Sequence, residues 1–321
     1  MIPEFPDFKP LCLEDRDALV EAHQVAAPAI CDTSPANLYI WRDCQRVMLT
    51  RIQDNLCVLL HPHTERPYFL EPYGRHNLCE TARTCLEHAV LISRAQARFT
   101  ASLPGEDFEI SRQRDTFDYM YLVQHLAELK GKGFDGKRNH IRKFARNYPG
   151  YEFRTLDREQ LHRAAALFEV WTAARGNGGS SEFTAAVLNH DCQRRALGRA
   201  FEEYSRLGLI GGALLVRGEM QGFIVGSRGA GDSAIAHFSY ANTELPGVYQ
   251  TLLWEACRRL FPAFTYLNME EDLGVPGLRK TKLSWQPWRL EEKSSIRLRR
   301  ESRSDEEATW KTASCPPQAL E

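Results

Sequence analysis

The chain has 321 residues, 43% of them hydrophobic, and a formal net charge of −1. That length and apolar content can fill more than one core, which points to two domains. The near-neutral balance excludes a protein held to a polyanion by bulk charge, so any basic site must come from local clustering.

No stretch approaches the run of about 18 apolar residues that a transmembrane helix requires. The first ten residues lack the cationic region followed by an apolar one that marks a secretory signal. A cytoplasmic protein is expected. Its cysteines run from Cys12 to Cys315 with no CxxC pair and read as reduced thiols.

In chain order, Asp15 can cap a short helix with Ala18, Leu19 and Ala22 on one face. Three short β-like runs follow at 46–52, 56–61 and 67–71, separated by turn residues. Ala82, Cys85, Leu86, Ala89, Val90 and Ile92 then recur at helical spacing, so a helix is expected over 81–93 and a strand at 98–102.

The second half repeats the plan. Helices are expected around Leu161–Trp171 and over 185–207. Strands follow at 209–216, 221–227 and 233–240, joined by glycine-bearing hairpin turns that imply antiparallel pairing. Val248, Leu252, Leu253, Ala256, Cys257 and Leu260 mark a further helix ended by Pro262, with a strand at 264–269. The order strand–strand–strand–helix–strand thus occurs twice. The expected division is 1–120 for one α/β unit and 121–300 for a second that carries the site. A polar tail over 301–321 reads as disordered.

Two segments concentrate chemistry. Between Lys130 and Arg146 lie seven basic residues and one acid, Asp135. Gly131, Gly133 and Gly136 precede a helix expected to begin near Lys137. Lys130, Lys132, Lys137, Arg138, Asn139 and Lys143 can therefore line a phosphate cradle; the plainer reading is a solvated basic linker. The spacing does not match a P-loop, which excludes ATP hydrolysis by that route.

The second segment, 268–285, leaves a strand end. Glu270, Glu271 and Asp272 precede Arg279, Lys280 and Lys282, with Gly274 and Gly277 shaping the turn between them. Adjacent carboxylates shift each other's proton affinity, which suits Glu271 or Asp272 to act as a base. The alternative is a capping loop with surface ion pairs. His61 and His63 read as surface residues, and 176–181 as a linker or lid.

The stretches 128–141 and 271–284, with 9–16 and 37–41, resemble the phosphatidylglycerol lysyltransferase C-terminal-domain family of bacteria. The resemblance covers roughly residues 5–295. It implies a tandem GNAT-like acyltransferase fold, α/β with two antiparallel-rich mixed sheets flanked by helices, related to Fem-type aminoacyltransferases. It further implies aminoacyl-tRNA as donor and a lipid headgroup or small amine as acceptor, with tRNA and an anionic membrane surface as partners and a peripheral position at the inner membrane face.

On that reading the basic residues of 130–143, with Lys280 and Lys282, hold donor phosphates, and Arg279 assists the donor or the oxyanion. Asn268 and Ser284 lie near the acceptor, and Tyr240, Tyr249 and Trp285 are candidates for base stacking. An acyl-CoA donor is the alternative. It is disfavoured because the strand-to-helix junction at 238–250 contains Gly247 as its single glycine and no basic residue. A third reading is a non-catalytic module that binds nucleic acid or an anionic membrane.

Overall fold

The computed structural model describes residues 1–62, 66–176 and 190–299. The expected tail, His63 and the 177–181 loop lie outside them. The chain opens with β1 (Lys9–Pro10), α1 (Arg16–Ala26) and α2 (Pro35–Gln45). β2 (Met48–Ile52), β3 (Asn55–Leu60) and β4 (Tyr68–Phe69) follow, then α3 (Leu78–His88) and β5 (Ile92–Gln96). β1 to β4 pair antiparallel in succession, whereas β5 returns parallel to β4. α4 (Ala97–Thr100) and β6 (Phe108–Arg112) complete this stretch.

The strand expected at 98–102 is corrected here: those residues enter the short α4, and the strand lies upstream. The reason is burial. All five residues of β5 are buried, so Ile92 serves a two-sided strand and not the helix that its spacing suggested.

β7 (Asp118–Leu122), α5 (Val123–Glu128), α6 (Asp135–Asn147) and β8 (Glu152–Thr155) come next. α7 (Arg158–Gly176) and α8 (His190–Glu202) precede β9 (Ile210–Val216), β10 (Glu219–Arg228) and β11 (Ser233–Ala241). α9 (Val248–Arg259), β12 (Tyr266–Asn268), α10 (Pro276–Leu283), β13 (Arg289–Glu291) and β14 (Lys293–Leu298) end the described chain. β8 to β11 again form an antiparallel succession, and after α9 the strand β12 lies parallel to β11. The same plan therefore appears twice, and the fold is tandem GNAT-like, with two seven-stranded mixed sheets flanked by helices.

The units exchange strands. β7 leaves the first stretch to sit between β12 and β13 of the second sheet, and β14 returns to lie between β5 and β6 of the first. One apolar core joins the units: Leu38 and Ile40 of α2 and Phe168 of α7 bury with Phe223, Phe238 and Tyr240 of the second sheet. Tyr240 meets Phe168 and Trp171 edge-on, at centroid distances of 5.0 and 4.8 Å. Separate cores fill the outer faces, one around Phe69 and Phe108, the other around Tyr121, Phe144, Leu252 and Phe261.

The helices α2 and α8 are joined by a Cys44–Cys192 disulfide. This corrects the expectation of reduced thiols throughout, since residues 148 apart in sequence meet only in the fold. Among the described residues no helix is long and apolar enough to cross a membrane.

Candidate active site

In each unit the parallel pair opens into a fork. β4 and β5 are in register only at Phe69 and Ile92, and the last registered pair of β11 and β12 is Ile235 and Asn268. Two residues beyond these pairs stand Glu71 and Arg94 in the first fork, His237 and Glu270 in the second. Arg94 and Glu270 share a left-handed backbone, with φ of 58° and 59°. The turn directs a charged side chain out of strand register at equivalent places in both units.

A hydrogen-bonded web connects the two forks. Glu71 accepts from the Gln96 amide N–H at 2.8 Å and from the Gln96 side chain. Gln96 accepts from the Ala29 N–H at 2.8 Å, and the Ala29 carbonyl accepts from Asn268 at 3.2 Å. Asn268, expected near the acceptor, is buried. It donates to Asp118 at 2.8 Å and accepts the Glu270 N–H at 2.7 Å.

Asp118 meets Lys293 of the exchanged β14 at 2.7 Å, and neither side chain is exposed. Lys293 also pairs with Asp32 and lies 3.6 Å from Glu271 Oε2. Cys31 closes the group, donating its N–H and thiol to Asp118 at 2.7 and 3.3 Å. Cys31, Asp32 and Asp118 have the mutual spacing of metal ligands, but the cation among them is Lys293 Nζ.

Burial alone would discharge Lys293, but Asp118 and Asp32 outweigh it and hold the ammonium well above the ordinary lysine range. Burial pushes the Glu271 carboxyl up to about 7, against the opposing pull of Lys293. Glu271 Oε2 has no hydrogen-bond partner.

The neighbouring Asp272 differs. It takes 2.9 Å hydrogen bonds from Arg279 on both oxygens, and others from Arg114, Tyr119 (2.6 Å) and the Gly274 N–H. Burial raises its proton affinity, but these donors, Arg279 foremost, overcome it and leave the carboxyl at about 2. Of the two expected base candidates, Asp272 is thus held as a structural anion. Arg279, which also donates to Asp115 at 2.6 Å, is its clamp. Gly274 fits because its φ is 72° and a Cβ would stand 3.0 Å from Asp115.

α10 links the two sequence motifs. Buried Lys282 donates to the carbonyls of Met269 and Glu270, fastening the helix beneath the carboxylate turn. Just past the helix end, Ser284 accepts from Lys137 of α6 at 2.7 Å, and Lys137 lies 4.4 Å from the centroid of the buried Trp285 ring. Gly133 abuts Gln286, where a Cβ would overlap the amide.

α6 begins at Asp135, two residues before the expected start. Arg138 is spent on the Leu129 and Gly131 carbonyls and on Asp135, and Lys130 pairs with Glu128. Lys132, Asn139, Lys143 and Lys280 are exposed on this surface, as is Gly277 at the start of α10. Gly247 caps α9 with φ of 94°, and a Cβ there would meet the His140 carbonyl at 2.6 Å. α6 therefore covers the helix terminus at which a GNAT-type pyrophosphate would sit. Tyr240 lies in the shared core and not on a base-stacking surface.

Sequence reasoning missed Asp32, Asp118, His237 and Lys293. For Asp118 and His237 the available signal was a titratable residue within an otherwise largely apolar strand pattern; Asp32 lies in a turn and Lys293 opens a polar strand, and neither carried such a mark.

A family model described as phosphatidylglycerol lysyltransferase, C-terminal, matches residues 24–297. None of the curated proteins compared with the chain matches it. A conserved protein of unknown function from Bacteroides thetaiotaomicron VPI-5482 is 30% identical, with a TM-score of 0.83 over 93% of this chain and 100% of that one. The fold recurs in L-PGS from Bacillus licheniformis, at 15% identity and a TM-score of 0.60 over 95% of each chain. It recurs also in the C-terminal domain of a putative lysylphosphatidylglycerol synthetase from Agrobacterium fabrum, at 14% identity and a TM-score of 0.58 over 89% of this chain and 90% of that one.

Proposed function

This chain belongs to the phosphatidylglycerol lysyltransferase C-terminal family, and from that premise we propose that it transfers an aminoacyl group from a charged tRNA to a lipid headgroup or small amine. By family and fold it is an acyltransferase. One observation carries it. Glu271 presents a largely buried, hydrogen-bond-free carboxylate oxygen beside a fully buried lysine, with a proton affinity poised at about 7. A base serves best when its proton affinity lies near the working pH.

An aminoacyl ester is already activated, so the protein must chiefly orient it, accept a proton and steady the developing oxyanion. In this reading Glu271 takes the proton of the attacking nucleophile. Lys293, Asp32, Asp118 and Asn268 hold it in place, and Asp272, Arg279 and Lys282 fix the turn that presents it. Lys130, Lys132, Lys137, Asn139, Lys143 and Lys280 offer cations and donors to the phosphates of the tRNA acceptor end, with Arg138 and Ser284 positioning the segment. The covered terminus of α9 argues against acyl-CoA as donor.

The test offers labelled charged tRNA to the protein with vesicles containing phosphatidylglycerol and with small amines. Label should move to one of these acceptors, and Glu271→Gln should cut the rate by roughly 10²–10⁴. Tight acetyl-CoA binding with no transfer from any charged tRNA overturns the proposal.

A further inference from the structure

The second fork carries groups that the reading above leaves idle. His237 Nε2 lies 2.8 Å from Ser227 Oγ, and His237 Nδ1 lies 3.0 Å from Glu270 Oε1. This is the connectivity of hydroxyl, imidazole and carboxylate in a nucleophilic triad. Exposure runs the other way, however. The Glu270 side chain is 24% exposed and that of His237 0%, while Ser227 is 2% exposed. The hydroxyl is the buried anchor, and the carboxylate is the end that a substrate can reach.

Glu270 and Glu271 are consecutive but have different partners. The left-handed backbone at Glu270 sends its side chain to His237, while Glu271 turns to Lys293. Both carboxylates leave the same turn and both are partly open to solvent, with side chains 24% exposed at Glu270 and 16% at Glu271. Acyl transfer needs two proton movements, one away from the nucleophile and one onto the leaving oxygen. Two carboxyl groups in unlike environments can divide that work.

We propose that Glu270, backed by His237 and Ser227 as positioning residues, delivers the proton to the leaving group of the acyl transfer. This rests on the aminoacyl-transfer reading above. The nucleophile's O–H or N–H proton passes to Glu271 as the new bond to the acyl carbon forms. The bond from that carbon to the ribose oxygen breaks, its electron pair staying on oxygen, and this oxygen takes the proton held by the Glu270–His237 pair. Solvent then removes one proton from Glu271 and returns one to the pair.

Ser227 can follow both states. It donates to Nε2 when the imidazole is neutral. When the imidazole is charged it accepts from Nε2, and its O–H turns to the Arg228 carbonyl 3.4 Å away.

The test varies the leaving group. The unaltered protein, Glu270→Gln, His237→Ala, Ser227→Ala and Glu271→Gln are assayed with charged tRNA and with the nitrophenyl ester of the same amino acid, whose leaving group needs no proton. With charged tRNA, Glu270→Gln and His237→Ala should lose about 100-fold or more in kcat with little change in KM, and Ser227→Ala roughly 3–10-fold. With the nitrophenyl ester those losses should shrink to within about fivefold, which also shows that the variants are folded, while Glu271→Gln stays impaired on both donors. Equal losses on both donors, a change in KM alone, or an acyl group found on Ser227 by mass spectrometry overturns this inference alone. Absence of transfer by the unaltered protein overturns the underlying reading with it.

Discussion

Lys293→Met removes the cation that Asp118 and Asp32 share and leaves the shape of the side chain nearly unchanged. Lys293 is wholly buried against Asp118 at 2.7 Å, with Asp32 in contact and Glu271 at 3.6 Å. Taking away one partner of a buried ion pair strands the opposite charge, and such losses run to about 3–5 kcal/mol. At about 2–3 °C per kcal/mol for a chain of this size, the midpoint should fall by roughly 6–15 °C.

The loss should depend on pH in a definite sense. The carboxylates left behind hold protons more tightly in the folded protein than in the unfolded one. The folded state then binds more protons, and the variant regains stability as pH falls. Thermal unfolding followed by circular dichroism from pH 5 to pH 8 should show the smallest deficit at pH 5 and the largest at pH 8. A variant as stable as the parent at pH 8, or a deficit that grows toward low pH, refutes the assignment of Lys293 as counter-ion.

Glu271 supplies a related prediction. Its folded carboxyl titrates at about 7 against an ordinary value of 4.5, so stability present at pH 4 drains as pH rises through 7. Glu271→Gln should gain on the order of 1–3 kcal/mol relative to the parent at pH 8 and nothing at pH 4.5, read by urea unfolding. Gly247→Ala forces a Cβ into left-handed backbone 2.6 Å from the His140 carbonyl. It should cost about 1–3 kcal/mol and expose the α6 amides to hydrogen exchange. Cys44→Ser should cost about 2–5 kcal/mol in oxidising buffer through loss of the 148-residue cross-link, and almost nothing once the parent is reduced.

The duplicated plan was legible because hairpin turns and the period of α9 are local signals. The carboxylate turn was legible for the same reason: Glu270 to Asp272 are adjacent, and the glycine at 274 announces its bend. The division of labour within that turn was not. Asp272 is saturated by Arg114 and Tyr119, which approach from a distant segment, and Glu271 owes its proton affinity to burial.

The exchange of β7 and β14 was equally hidden, because a short strand carries no mark of the sheet it will join. That exchange delivers Lys293 to Asp118. The misplaced strand at 98–102 has another cause. β5 reads Ile-Ser-Arg-Ala-Gln, so its buried Ser93, Arg94 and Gln96 gave no apolar strand pattern, and Ile92 was absorbed into the preceding helical one.

The most direct test of the central claim is the pH dependence of aminoacyl transfer from charged tRNA by the full chain. The rate should rise with an apparent midpoint near 7 as Glu271 loses its proton, and that rise should vanish in Glu271→Gln together with most of the activity. A rate that is flat across pH 5 to pH 8, or a Glu271→Gln variant as active as the parent, would contradict the account.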